Sequence, residues 1–97
     1  MNLPVILSPV ADQDLDAAAS WYEQQARLGE TFVERAQQAV DQIGQMPELH
    51  AVIYRGIRRV QIPRFPYNMF YRIEVDRIEV IAVLHARRNP SIWRSRA

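Results

Sequence analysis

The nitrogen chemistry of this 97-residue chain rests on two histidines and twelve arginines; lysine and cysteine are absent. Arg87 and Arg88 follow His85 closely, and Arg59 and Arg72 precede it in the same half of the chain. Imidazole is the side chain that exchanges a proton near neutral pH. Guanidinium grips a carboxylate or a phosphate through a bidentate fork. The set Arg59, Arg72, His85, Arg87 and Arg88 therefore fits an anionic partner. His85 is the one plausible base among them, because His50 lies in the acidic half. A structural reading of His85 stands beside this one: an imidazole at a strand end often hydrogen-bonds the backbone of the segment that follows. No cluster of His, Asp and Glu has ligand spacing, and without cysteine there is no thiolate site or disulfide, so neither metal nor cofactor is expected.

The elements that must position these groups belong to a chain divided by charge. Residues 1–50 carry two arginines against eight carboxylates, a net −6. Residues 51–97 carry ten arginines against three carboxylates, a net +7. A basic half calls for nucleic acid or an acidic protein segment as partner. With 48% hydrophobic and 24% charged residues the chain has the composition of an ordered domain. Its length predicts a single domain over 1–97. The longest uncharged stretch, Met1 to Ala11, is far shorter than the roughly 18 residues of a membrane span. It also lacks a basic n-region, so no secretory signal is expected. A soluble cytoplasmic protein with no membrane partner is the expectation.

Val5 to Ser8 reads as a short strand. Ser8 then supplies an N-cap and Pro9 the first position of a helix, with Asp12 favourable to the dipole. Ala11, Leu15, Ala18, Ala19, Tyr22 and Ala26 share one helical face, so a helix is predicted over Pro9 to Arg27, broken at Leu28-Gly29. Phe32, Ala36, Ala39, Val40 and Ile43 make the stripe of a second helix, about Glu30 to Met46, stopped by Pro47. So short a break makes the two an antiparallel hairpin. Arg58–Ile62, Tyr67–Val75 and Ile78–His85 are rich in β-branched and aromatic residues and read as strands. The expected fold is α+β, in the order β-α-α-β-β-β, with the helical hairpin on one face of a small, mainly antiparallel sheet.

A two-residue turn at Asp76-Arg77 sets a register and hence two faces. Val60, Ile62, Tyr67, Met69, Tyr71, Ile73, Ile78, Val80, Ala82 and Leu84 form the face expected to meet the helices. Arg59, Gln61, Asn68, Phe70, Arg72, Glu74, Glu79, Ile81, Val83 and His85 form the other. Apolar Phe70, Ile81 and Val83 rimmed by arginine read as a binding groove. The alternative is that the basic tail, Ala86 to Ala97, folds over them with Trp93 as the plug.

These residues carry a resemblance. Ser8-Pro9-x-Ala11-x3-Leu15, Trp21-Tyr22, Arg59-x7-Tyr67-x3-Tyr71, the strand Ile78 to Leu84, and His85-x-Arg87-Arg88-x-Pro90-x2-Trp93-x-Ser95-Arg96 together resemble the RelE/ParE superfamily of type II toxin–antitoxin toxins. Phe65-Pro66-Tyr67 is similar to the ParE branch, the plasmid stabilisation proteins. The resemblance implies a toxin wrapped by the C-terminal segment of a cognate antitoxin. The antitoxin's own N-terminal domain holds DNA, so the toxin would meet DNA only through its antitoxin.

The two branches imply different chemistry. The ParE branch implies inhibition of DNA gyrase, which needs a binding surface and no catalytic residue. Here that surface would be Arg87, Arg88, Trp93, Arg94 and Arg96. The RelE branch implies ribosome-dependent mRNA cleavage, which needs a base for the 2′-hydroxyl and cations for the phosphorane. Arg59, Arg72, His85 and Arg87 would supply them, yet the chain departs from that branch in lacking lysine and any tyrosine after Arg88. An acidic, apolar antitoxin segment would lie on Trp21, Arg59, Phe70, Arg72, Ile81 and Val83. A third reading is a degenerate toxin that serves only as an antitoxin-binding corepressor.

Overall fold

Ser8 caps the first helix as its position predicts. Its backbone is extended and its hydroxyl accepts from the Ala11 N–H at 3.2 Å, with Pro9 in the first turn. In the computed structural model, which describes residues 3–97, strand β1 (Val5–Leu7) feeds helix α1 (Pro9–Ala26) and then α2 (Gly29–Gln45). Four further strands follow, β2 (Val52–Tyr54), β3 (Ile57–Gln61), β4 (Tyr67–Ile73) and β5 (Ile78–His85), and a one-turn helix α3 (Ser91–Arg94) ends the chain. The sheet order is β1-β5-β4-β3-β2; β1 runs parallel to β5 and every other pair is antiparallel. Among the described residues no helix is long and apolar enough to cross a membrane.

The break between the helices falls one residue earlier than the sequence predicts. Arg27, not a glycine, takes the left-handed conformation (φ 56°), and Gly29 is already the first residue of α2. Gly29 is small for a different reason. A Cβ there would stand 2.9 Å from the Ala19 carbonyl oxygen and from Glu23 Cβ, so glycine lets the hairpin close. The predicted stripes are the packed ones: Ala11, Ala18, Phe32, Ala36, Ala39 and Ile43 are buried against Val60, Ile62, Met69, Tyr71, Ile78 and Val80. Phe65 from the Pro63–Pro66 turn joins Tyr22, Phe32 and Tyr67 in an aromatic cluster with centroids 4.7–5.9 Å apart.

The β4–β5 register corrects the prediction twice. The connection is not a two-residue turn: Glu74 N–H donates to the Arg77 carbonyl at 2.8 Å, Ile73 faces Ile78, and Val75 stands at the exposed tip. That is a shift of two, which preserves the faces. A bulge opposite Phe70 and Tyr71 then adds one residue, so Tyr71 faces Val80 but Phe70 faces Ala82. A shift of one exchanges the faces. Beyond the bulge Val83 therefore packs toward the helices, while Ala82 and Leu84, expected there, turn to the other side.

That other side is closed by the tail. Trp93 of α3 stacks on Phe70 with centroids 4.7 Å apart, over Ile57, Ile81, Ala82 and Leu84, and leaves Phe70 only 4% exposed. The exposed groove expected over Phe70, Ile81 and Val83 is thus absent: two lie beneath the tail and the third is in the opposite core.

One ion pair holds this arrangement at the edge of β5. β1 follows β5 only as far as Val80, whose carbonyl accepts from the Ser8 N–H at 2.9 Å. Past that point Asp14 of α1 accepts from the Val83 N–H at 3.0 Å. Arg96 donates to the same Asp14 oxygen at 2.6 Å and to the Ile81 carbonyl at 3.1 Å. Asp14 and Arg96 side chains are only 14% and 20% exposed, so this is a part-buried pair with backbone partners rather than a surface bridge.

Asp14→Ala leaves a strand N–H and a guanidinium without their acceptor, which costs about 2 kcal/mol. For a domain of this size that lowers Tm by roughly 10 °C. Thermal unfolding of Asp14→Ala and Arg96→Ala, with limited proteolysis of the tail, measures it. Unchanged Tm and an equally protected tail in both variants would show that the pair does not hold the tail.

Candidate basic cleft and aromatic notch

The bulge and the tail bring four strands' worth of residues to one corner. Arg59 faces Phe70 across β3–β4, and Asn68 faces Gln61, so Arg59, Asn68 and Phe70 meet at the last turns of the sheet. With Ile53, Leu84, His85, Ala86, Arg88, Pro90, Trp93 and Arg94 they line a cleft of about 250 Å³. Three arginines line it and no carboxylate does. Arg94 is held by π-faces: its guanidinium sits 5.2 Å from the Tyr54 centroid and 5.4 Å from that of Trp93. Arg55 approaches the same Tyr54 ring at 5.2 Å.

His85 stands on the ridge of this cleft. Its Nδ1 accepts from the Arg87 N–H at 3.0 Å, and its carbonyl accepts from the Arg88 N–H at 2.9 Å. In the neutral ring the lone pair is therefore engaged with the tail backbone and Nε2 carries the proton. That ring presents a donor to the surface and no free basic nitrogen.

Across the ridge, His85 meets Tyr67 edge-on at 5.3 Å, and together with Trp21, Tyr22 and Pro66 they line an aromatic notch. A neighbouring hollow shares Trp21, Tyr67 and His85 and adds Arg88 and Asp14, the latter bound to Arg96. Trp21 is 54% exposed and is braced edge-on by Tyr22 at 5.1 Å. Burial raises the pKa of Tyr67, which nearby Arg88 partly offsets; burial and then Tyr67 raise that of Tyr22.

The predicted site residues separate into three groups. Arg59, His85, Arg88 and Arg94 line the cleft. Trp21 stands in the notch beside His85 and Arg88, while Arg87 is exposed outside both. The remainder are engaged internally. Arg72 is salt-bridged to Glu79 and Glu74, each at 2.9 Å, so its charge is neutralised within the sheet. Phe70, Ile81 and Trp93 form the second core, Val83 belongs to the first, and Arg96 is bound to Asp14. Sequence reasoning missed Tyr54, Arg55, Asn68 and Tyr67 as site residues. Asn68 had a signal, since the predicted register already placed it opposite Gln61 beside Arg59. Tyr54 and Arg55 had none, because β2 is a three-residue strand that no run of residues announces.

A hairpin of two helices on a five-stranded mixed sheet is the α+β fold of the ParE-like class. The chain belongs to the ParE toxin family: residues 5–90 match the family described as ParE toxin of type II toxin-antitoxin system, parDE. The fold is similar to that of a chain in the chromosomal ParDE toxin–antitoxin system from P. aeruginosa, with TM-score 0.66 and 18% identity over 86% of this chain and 95% of that one. It is also similar to the YoeB dimer from Staphylococcus aureus (TM-score 0.60, 14% identity, 88% and 98% covered) and to the YoeB–YefM complex from the same organism (TM-score 0.58, 14% identity, 88% and 98% covered). No curated protein matches the sequence.

Tyr71 adds a third phenol whose pKa burial raises, with Arg58 partly lowering it, and its hydroxyl donates to the Pro47 carbonyl at 2.7 Å. Tyr22, Tyr67 and Tyr71 thus ionise above their ordinary 10.0 in the folded state. A group raised on folding contributes stability that is complete below its unfolded pKa and is lost as pH climbs through the folded one. Stability should therefore hold up to about pH 10 and fall above it. Ultraviolet titration of Tyr→Phe variants, with Tm against pH, measures both. Ionisation of Tyr67 or Tyr71 below pH 10.0 would contradict the burial argument.

Proposed function

We propose that this ParE-family toxin acts by inhibiting DNA gyrase through binding, without covalent chemistry of its own, and that a cognate antitoxin neutralises it in the cytoplasm. The observation that carries the reading is the engagement of the groups that cleavage would need. The His85 lone pair accepts from the tail backbone and the Arg72 guanidinium is bound to two carboxylates. Removing the proton of a 2′-hydroxyl requires a free base, and neither a carboxylate nor a second histidine lines the cleft. Binding requires none of this. The cleft arginines and the exposed Arg87 suit an anionic surface such as gyrase with its DNA.

A second reading, ribosome-dependent mRNA cleavage, has one observation in its favour: Arg59, His85 and Arg88 line a single cleft.

Neutralisation follows from the same surfaces. An acidic, apolar antitoxin segment would pair with Arg59 and cover Trp21. It would reach Phe70 and Ile81 only by displacing Trp93. A fold-on-binding segment suits such a spread of contacts. In the related fold, the solved YoeB–YefM complex shows YoeB held with YefM.

The test mixes purified toxin with gyrase, ATP and supercoiled plasmid, and resolves the DNA after detergent and protease. Linear plasmid should accumulate, vanish on addition of antitoxin, and persist with His85→Ala. Normal supercoiling with no linear product, from folded and antitoxin-competent toxin, would overturn the gyrase reading. Toxicity abolished by His85→Ala with antitoxin binding intact would favour cleavage.

A further inference from the structure

The cleft and the notch meet at His85, and together they present two chemistries side by side. One side offers three arginines with no carboxylate in the lining. The other offers flat rings: Trp21, more than half exposed, with Tyr67 and His85 around it and Arg88 common to both sides. A purely acidic peptide would satisfy the arginines and leave the rings bare, and an acidic, apolar one would cover the rings without stacking on them. A nucleotide carries an anion and a flat base on one backbone, and proteins that hold single strands combine a basic track with aromatic stacking platforms.

We propose that the toxin itself seats one strand of DNA across the His85 ridge, with a base stacked on Trp21 and phosphates held by Arg59, Arg88 and Arg94. This direct contact differs from the expectation that DNA is met only through the antitoxin, and the experiment below decides between the two. The choice of DNA over RNA rests on the gyrase reading; the binding itself does not.

The charge pattern fixes how the strand lies. The carboxylate that lines the hollow beside Trp21 is Asp14, which Arg96 neutralises, whereas the cleft side has three arginines and no carboxylate. The backbone therefore keeps to the arginine side while the base crosses the ridge. A base can lay its face on Trp21 only when it is out of a duplex stack, so the site selects an unpaired strand. An antitoxin that covers Trp21 and Arg59 would compete for the same ground.

The test is fluorescence anisotropy of a labelled oligothymidylate titrated with the full-length chain, read with tryptophan emission across a salt series. Three phosphate contacts predict a log–log salt slope of about −2, which Arg59→Ala should reduce by roughly 0.7. Trp21→Ala, at an exposed position, should weaken binding at least about fivefold and abolish the emission change. Arg35→Ala on α2 should leave binding as it was. Absence of binding, equal loss with Arg35→Ala, or indifference to Trp21 would overturn the site. So would displacement of the oligonucleotide by polyglutamate at matched charge, which would make this an acidic-peptide surface. Tighter binding of oligouridylate would overturn the assignment to DNA. None of these readouts contains gyrase, so the gyrase reading stands or falls separately in the plasmid assay.

Discussion

The carboxylate of Asp14 and the guanidinium of Arg96 are 82 residues apart in sequence and 2.6 Å apart in space, and the basic corner depends on their meeting. Strand β5 loses its parallel neighbour after Val80, because the chain must turn there into α1. The exposed edge that remains would be both unsatisfied and open to pairing with another chain. Asp14 takes the Val83 N–H, and Arg96 takes the Ile81 carbonyl while neutralising Asp14. The edge is thus closed by two charged side chains that are each other's partners. The tail is carried along with Arg96, so Trp93 comes down on Phe70 and Arg88 and Arg94 arrive beside Arg59.

The bulge in β5 makes that pairing possible and decides what His85 is. With uninterrupted alternation His85 would point to the tail's face of the sheet, among the arginines. One added residue sends Val83 into the helix-side core and leaves His85 beside Tyr67. From there its Nδ1 meets the Arg87 N–H. The same residue thus becomes the wall between a basic cleft and an aromatic notch, with its lone pair tied to the backbone.

Local signals in the sequence carried the fold well where the physics is local. Ser8-Pro9 marked the start of α1, the 3.6-residue stripes marked both buried helical faces, and the Pro63–Pro66 turn set the β3–β4 register. The misjudged turn at Asp76-Arg77 did no harm to the faces because its error was an even number of residues. The bulge escaped notice because Val80-Ile81-Ala82-Val83 is apolar throughout. Alternation cannot register an inserted residue when both sides of the strand are buried. Both faces are buried only because the tail covers one of them, and the tail is placed by a pair too distant in sequence for any window to connect. The site was legible for Arg59 from charge and register and for Arg88 and Arg94 from charge alone, whereas His85 was singled out by type and takes its place through the bulge. It was not legible for Arg72 and Arg96, whose types promised binding but whose carboxylate partners, Glu79 and Asp14, could be identified only in three dimensions.

That difference between an arginine's type and its pairing decides which charges this fold turns outward. Of the basic residues on the β-rich half, Arg72, Arg77 and Arg96 are bound to carboxylates, and Arg58 donates to the His50 carbonyl at 2.6 Å. Such residues fix geometry, and their charge is largely absent from the outer field. Arg59, Arg88 and Arg94 line a wall without carboxylates, so their field reaches outward and attracts anions over a Debye length of about 8 Å. A catalytic centre would add to that field a group whose proton moves, held in the state that the reaction needs. His85 instead has its lone pair committed to the chain's own backbone. The corner therefore combines an outward cationic field with an imidazole whose lone pair the backbone holds, and it is on this combination that the proposed binding role rests.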